Sequence, residues 1–247
     1  MKVDIAKAYD RVDWSFLLKI LAAFGFDLKV VGLIHQLIST SSIVVLVNGS
    51  SSPFFYPSRG LRQGDPLSPI LFVIMADCLG RHIGDLVNRG VLKGLQPSSH
   101  PLVYSHGQFV DDTIFMGKAE MKEARNQKQA INLYSSASGQ LVNWNKSVVY
   151  FINTPIQRQN KIAKILGCSI WSLPSSYLGL PLGLKIPDSF WENLINKISK
   201  KLAGWKGILL SQAGKLTLLK ACLQSIPTFA LSLFKIPSKY ADSIEKI

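Results

Sequence analysis

The chain has 247 residues, 47% of them apolar, enough to bury a substantial core as one large domain or one domain with an appendage. Its formal charge of +13 favours a polyanionic partner, either nucleic acid or an acidic membrane surface. No apolar run reaches the roughly 18 residues of a membrane span, and the densest stretch, Ile70–Met75, is far too short.

Met1–Ile5 reads as a strand, and Asp13 as the N-cap of a helix from Trp14 to about Phe24. That helix places Phe16, Leu17, Ile20, Leu21 and Phe24 on one face and stops at Gly25. A second helix is predicted over 28–39. Ile43–Asn48 and Phe54–Ser58 form a hairpin signalled by Asn48-Gly49. Pro66 opens a long apolar helix toward Asn88. The stretch QFVDDTIF (108–115) reads as two short strands around a tight turn. A polar helix then runs from about Lys118 to Ser138, where Gly139 stops it, and Val148–Ile152 is a strand.

After Pro155 the texture changes. A short basic helix over 156–166 is followed by the turn-rich YLGLPLG (177–183), and then by helices over 190–203 and 212–225. Lys197, Lys200, Lys201, Lys206, Lys215 and Lys220 lie within or between these two. Residues 1–150 carry 15 Lys+Arg against 11 Asp+Glu, and residues 151–247 carry 13 against 4. The C-terminal part is therefore the expected phosphate-contacting surface. Strands mixed with helices, then a helical basic tail, predict an α+β core with an all-α appendage.

Cys78, Cys168 and Cys222 are scattered without a C-x-x-C pair, so neither a disulfide framework nor a zinc site is indicated. The count fits a reducing intracellular compartment, nuclear or cytoplasmic. His35, His82, His100 and His106 lack metal-ligand spacing. KVDI follows Met1 where a signal peptide would carry an apolar run.

Adjacent carboxylates repel, and an Asp pair without Gly suits a hairpin turn poorly. Asp111 and Asp112 therefore admit two readings: a hairpin tip facing water, or carboxylates around a cation. Asp4, near the end of the first strand, supplies a third acid. Beside a hairpin-tip pair it would set carboxylates around two cations roughly 4 Å apart, the geometry of two-metal phosphoryl transfer. Oxygen-only ligands select Mg²⁺ or Mn²⁺. In that chemistry one ion activates a primer 3′ hydroxyl, and the other stabilises the leaving pyrophosphate.

VDIAKAYDRVDW, SRGLRQGDPLSPILF, FVDD, SGQLVNWNKS and YLGLPLG occur in that order along the chain. Together they resemble the reverse transcriptase of non-LTR (LINE-type) retrotransposons, most closely the plant members, and the resemblance continues through KLAGWKGILLSQAGKLTLLKACLQSIPTFALSLFKIP. It implies an RNA-directed DNA polymerase that extends a DNA primer on an RNA template with deoxynucleoside triphosphates. It also implies a palm, an antiparallel sheet packed on helices, followed by a mostly helical thumb.

Residue by residue, the resemblance makes Asp4, Asp111 and Asp112 the metal-binding and catalytic acids. Tyr9 falls where the family keeps a ring beneath the incoming sugar, which would exclude a 2′ hydroxyl; an ordinary core tyrosine is the alternative. Gln63 and Gly64 match the loop supporting nucleotide and template. The same loop also reads as a turn before a helix, with Asp65 as a cap. Arg59 and Arg62 either bind phosphate or solvate that loop. Lys146 matches a lysine that protonates departing pyrophosphate, or is a plain surface lysine. Tyr177 and Gly179 match the turn gripping the primer strand. Lys197, Lys200 and Lys201 belong to the thumb that tracks nucleic-acid backbone.

The implied organisation is a palm with partial fingers over 1–152, a primer-grip connection over 153–185 and a basic helical thumb over 186–247. Val110 stands where the family usually has Ala. The family's fingers segment, with basic residues for the triphosphate, precedes the first Asp motif, and its endonuclease lies elsewhere again. The resemblance therefore implies a fragment, and the alternative function is a catalytically incomplete nucleic-acid-binding remnant.

Overall fold

The computed structural model describes residues 1–98, 101–183, 185–203 and 210–246. His100 and Lys206 lie outside them. The chain divides into two compact units, Met1–Trp171 and Ser172–Ile247.

The first unit is built on strands β1 (Lys2–Val3), β4 (His106–Phe109), β5 (Asp112–Phe115), β6 (Val148–Tyr150) and β7 (Ser169–Trp171), in the spatial order β4-β5-β1-β6-β7. Between β1 and β4 come a 3-10 turn at Tyr9–Arg11, helices α1 (Trp14–Ala23) and α2 (Leu28–Ser39), the hairpin β2 (Leu46–Val47) and β3 (Ser50–Ser51), and helix α3 (Ser68–Asn88). Helices α4 (Met121–Ser138) and α5 (Ile156–Leu166) complete the unit.

Local chemistry accounts for these boundaries. The Asp13 carboxylate accepts from the Phe16 amide at 2.8 Å and starts α1, whose Leu17 and Leu21 are fully buried. Asn48 and Gly49 both take positive φ, the requirement of a two-residue primed turn. The ladder therefore resumes at once at Ser50, ahead of the expected Phe54, and Phe55 bridges back to Ile43. Glu120 is extended, so α4 starts at Met121 and not at Lys118.

The sheet is not wholly antiparallel. β4/β5, β5/β1 and β1/β6 are antiparallel, but β6 and β7 run parallel. The α5 crossover returns the chain to the end where β6 began, which only a parallel partner permits. For the same reason the first unit extends past residue 152. α5 packs on α4 and β7 completes the sheet, so the expected connection over 153–185 is divided between the two units.

Met1, Val3, Phe115 and Val149 point from the sheet into one core with Leu79 and Ile83 of α3, Ile131 and Tyr134 of α4, and Ile162 and Leu166 of α5. Alternation along the strands turns Lys2 and Asp112 to the opposite side. A second core joins Val12, Leu17, Leu21 and Leu61 to Leu71, Phe72 and Met75.

The second unit holds the hairpin β8 (Ser175–Tyr177) and β9 (Leu180–Leu182) and helix α6 (Asp188–Ala203). Next come α7 (Gln212–Leu218), a π-helical segment over Leu219–Leu223, α8 (Ser225–Leu231) and α9 (Ser238–Glu245). Its core is Trp191, Leu194, Ala230 and Tyr240, with the Trp191 and Tyr240 rings stacked at 6.3 Å. No helix among the described residues is long and apolar enough to cross a membrane, and all three cysteines are free.

Gly139 ends α4 at φ +76, and a Cβ there would stand 2.6 Å from the Arg11 carbonyl oxygen. Gly139→Ala should therefore destabilise the first unit by about 1–3 kcal/mol, read as a lower urea midpoint at unchanged slope. A midpoint within error of the parent would contradict the close approach.

Candidate active site

Lys2 lies opposite Ile114 and Val3 opposite Thr113; one further step of that register brings Asp4 alongside Asp112. Two acids separated by more than a hundred residues thus meet at the ends of neighbouring strands. Asp4 is fixed by its backbone: its amide donates to Ser147 Oγ at 3.1 Å, and its carbonyl accepts from Asn143 at 2.8 Å. Ser147 Oγ in turn donates to the Asn143 carbonyl at 2.8 Å. Lys146 sits on this same turn with its side chain exposed, so the sequence-predicted proton donor flanks Asp4.

The turn between β4 and β5 is Val110-Asp111, with Val110 at φ +54. A β-branched residue adopts that conformation only where the surroundings enforce it. Here Val110 packs into the second core near Tyr9. Asp111 is exposed. Asp112 is engaged by the Lys2 ammonium at 3.8 Å. All three acids offer hard oxygen donors, which fit Mg²⁺ or Mn²⁺. The register brings Asp4 and Asp112 together, yet among the described residues no group of three or more possible ligands is gathered to hold a metal.

The Tyr9 ring stacks on Phe72 of α3, centroids 4.7 Å apart and 10° from parallel. Burial and the neighbouring Asp111 carboxylate push the Tyr9 phenol above its ordinary range. The shift only deepens the neutrality that a phenol already has at physiological pH.

The RGLRQGD loop is strapped to the same segment. Gly60 N–H donates to the Val12 carbonyl and Leu61 N–H to the Tyr9 carbonyl, each at 2.8 Å. Trp14 Nε1 donates to the Gly60 carbonyl at 2.6 Å, and Gln63 Nε2 to Asp10 Oδ1 at 3.3 Å. Gly60, at φ +92, lies so close that a Cβ would stand 2.8 Å from the Asp10 carbonyl oxygen. Gly64 takes φ +88 in open space. Asp65 Oδ1 accepts from the Leu67 amide at 2.8 Å in the turn before α3, whose N-cap position is Leu67 and carries no side-chain bond, so Asp65 braces the turn and does not cap the helix. Arg59, Arg62 and Gln63 line a cleft of about 800 Å³ with Asp10 and Asp65.

Asp4, Asp111, Asp112, Tyr9, Gln63, Gly64, Arg59, Arg62 and Lys146 thus all belong to the first unit. Tyr177 and Gly179 lie at the β8–β9 hairpin of the second unit, with Gly179 at φ +78. Lys197, Lys200 and Lys201 are exposed on α6, away from its buried Trp191, Leu194 and Ile198. Sequence reasoning missed Asp10, Trp14 and Phe72 as partners of site residues. Asp10 and Trp14 carried a signal in standing next to Tyr9, whereas Phe72 looks like any core residue of an apolar helix.

Facing acids at adjacent strand ends and a cleft that Arg59 and Arg62 help to line thus belong to one α+β unit. Residues 1–182 match the family described as "Reverse transcriptase (RNA-dependent DNA polymerase)", and the chain belongs to that family. The kinship read from the motifs, with reverse transcriptases of non-LTR retrotransposons, is borne out. Over 85 residues the chain is 35% identical to the retrovirus-related Pol polyprotein from type-1 retrotransposable element R2 of Popillia japonica, covering 34% of this chain and 14% of that protein. Over 150 residues it is 27% identical to the transposon TX1 uncharacterized 149 kDa protein of Xenopus laevis, covering 60% of this chain and 11% of that one. The chain thus spans only a small part of these relatives. A solved telomerase of Candida tropicalis, in complex with a fragment of telomeric RNA, aligns with a TM-score of 0.44 at 14% identity, over 92% of this chain and 37% of that one.

Trp14→Phe keeps an aromatic ring, smaller than the indole, and removes the donor to Gly60. It should cost about 1 kcal/mol and speed amide hydrogen exchange at Gly60 and Leu61 several-fold. Unchanged exchange there would show that the strap does not hold the loop.

Proposed function

We propose that this chain is the polymerising portion of a reverse transcriptase, adding deoxynucleotides to a primer 3′ hydroxyl on an RNA template. The reading is carried by one observation: Asp4 and Asp112 face each other on adjacent strands of a chain that belongs to this family. Asp4, Asp111 and Asp112 would hold two Mg²⁺ or Mn²⁺ ions. Bound there, such ions supply charge neutralisation at the triphosphate and acidify the primer hydroxyl.

The remaining roles fall to the chain's own residues. Tyr9, fixed flat on Phe72, presents a ring that excludes a ribose 2′ hydroxyl. Gln63 and Gly64 support nucleotide and template, with Gln63 oriented by Asp10. Arg59 and Arg62 face phosphate in the cleft. Lys146, carried on the turn that anchors Asp4, delivers a proton to the departing pyrophosphate. Tyr177 and Gly179 hold the primer strand, while Lys197, Lys200 and Lys201 contact duplex phosphates. In this scheme the palm occupies most of the first unit and the thumb the helices of the second.

A second reading, nucleic-acid binding without turnover, rests on the Lys2–Asp112 contact, which occupies one of the three acids. Primer extension with Mg²⁺, together with Mn²⁺ binding followed by electron paramagnetic resonance, separates the two. Asp4→Asn and Asp111→Asn should each lower incorporation at least 10³-fold and weaken Mn²⁺ binding, with the fold intact by circular dichroism. Activity within tenfold of the parent for either variant would sink the ligand assignment. A parent that binds primer–template but neither Mn²⁺ nor nucleotide would establish the second reading.

Tyr9→Val opens space beneath the sugar, so the ratio of ribo- to deoxynucleotide insertion should rise tenfold or more. An unchanged ratio would return Tyr9 to a purely structural role.

A further inference from the structure

The side of the first unit away from the acids carries a charge pattern that the polymerase reading does not use. Between Glu123 and Asp188 the sequence contains no Asp or Glu at all. α4 carries Lys122, Arg125 and Lys128, and α5 carries Arg158, Lys161 and Lys164, both at i, i+3, i+6 spacing. Such spacing sets neighbouring charges about 5–6 Å apart along a helix, close to the pitch of phosphates on a nucleic-acid strand.

The two rows lie side by side. Lys128 Nζ donates to the Ile165 carbonyl at 2.8 Å, near the C-terminal end of α5. At the other end Lys93 holds the Glu120 carboxyl below its ordinary range, and Lys118 and Arg158 add to that effect. Residue 120 thus neighbours residue 158, and residue 128 neighbours residue 165, so α4 and α5 run in the same direction. Packed helix axes stand roughly 8–10 Å apart.

Lys122, Arg125, Arg158, Lys161 and Lys164 are all exposed, and none forms an ion pair among the described residues. The nearby carboxylates are already committed. Glu123 is buried and accepts from the Lys93 and Gly94 amides, and Glu120 is paired with the Lys93 ammonium at 2.9 Å. A solvated helix surface commonly interleaves both signs of charge to gain i, i+4 pairs. This one does not.

Both helices pack their apolar sides on the sheet face bearing Val3, Phe115 and Val149. Their outer surface is thus separated by the whole sheet from Asp4 and Asp112. A duplex seated at the acids would have to wrap around the unit to touch it.

We infer that the outer surface of α4 and α5 is a second nucleic-acid-binding site, one that takes the sugar–phosphate backbone of a double-stranded segment distinct from the one at the acids. Duplex is favoured over single strand because neither helix itself presents an exposed aromatic ring, and the nearby Trp144 is half-buried beneath Lys128. Single-strand binders combine positive charge with exposed aromatic rings. α5 has no aromatic residue, and the one aromatic of α4, Tyr134, is buried. Sequence-blind contact with two phosphate rows needs only charge and spacing.

The test uses the full chain carrying Asp111→Asn, so that its outcome is independent of polymerase activity. Binding to a labelled RNA duplex, a DNA duplex and oligo(U) is followed by fluorescence anisotropy across a salt series. Replacing Lys122, Arg125, Arg158, Lys161 and Lys164 together by Gln should weaken duplex binding at least tenfold near 0.1 M salt. It should also flatten the log–log salt slope by about 3 or more, at roughly 0.9 per phosphate contact. R158E with K161E, a smaller change at exposed sites, should weaken it at least as much per residue altered. Loss on either duplex supports the site. A less than twofold change in both variants would overturn the inference, as would an equal or greater loss for oligo(U). Competition by poly-glutamate as effective as by duplex would mark an acidic protein as the partner and would equally overturn it.

Discussion

The segment from Asp4 to Asp13 forms little regular structure, and distant parts of the chain satisfy its backbone. Asp4 is bonded at both ends by Asn143 and Ser147. The Ala6 amide donates to Leu141, and the Ala8 carbonyl accepts from the Gln140 side chain at 2.9 Å. Leu61 and Gly60 donate to Tyr9 and Val12, and the Asp13 amide donates to Ser138. Buried peptide groups must find partners, so these bonds tie two remote segments, 60–61 and 138–147, to one short stretch. That stretch carries Asp4, the Tyr9 ring and the Asp10 partner of Gln63.

The glycines at these crossings follow from the same constraint. Gly139 and Gly60 adopt positive φ and approach the backbone of Arg11 and Asp10 more closely than any Cβ permits. Gly60 belongs to a motif that otherwise reads as a nucleotide-contacting loop, yet its own requirement is packing. Part of the motif therefore serves to hold the loop against the segment carrying Tyr9. Hydrogen bonds within this region link neighbouring groups, so substitutions there should couple and not add.

Charge is distributed in layers across the first unit. Asp4 and Asp112 sit side by side at strand ends on one side of the sheet. On the other side, the stretch after Glu123 that includes α5 and most of α4 is free of carboxylates. The sheet and its apolar layer, from Val3 to Ile162, hold the two sets of charge apart, and mobile ions screen the interaction between them through solvent. A protein with +13 net charge in this way keeps its paired strand-end carboxylates apart from its most basic helix faces.

Much of this was legible in the sequence because it is local. α2 and α5 fall at their expected bounds, and Asp13, Asn48-Gly49 and Gly139 act as the cap, turn and stop that their chemistry dictates. The order of motifs sufficed for the family, whose match spans residues 1–182. What depends on segments far apart in sequence was not legible. The parallel pairing of β7, the extension of the first unit to Trp171 and the stacking of Tyr9 on Phe72 all follow from which elements pack together. Residue type alone made Asp4, Asp111 and Asp112 candidates. Only the strand register set Asp4 beside Asp112, and only the tertiary packing put Lys2 on Asp112 and turned the basic faces of α4 and α5 away from both. Long-range hydrogen bonding and burial decide such contacts, and neither leaves a periodic trace along the chain.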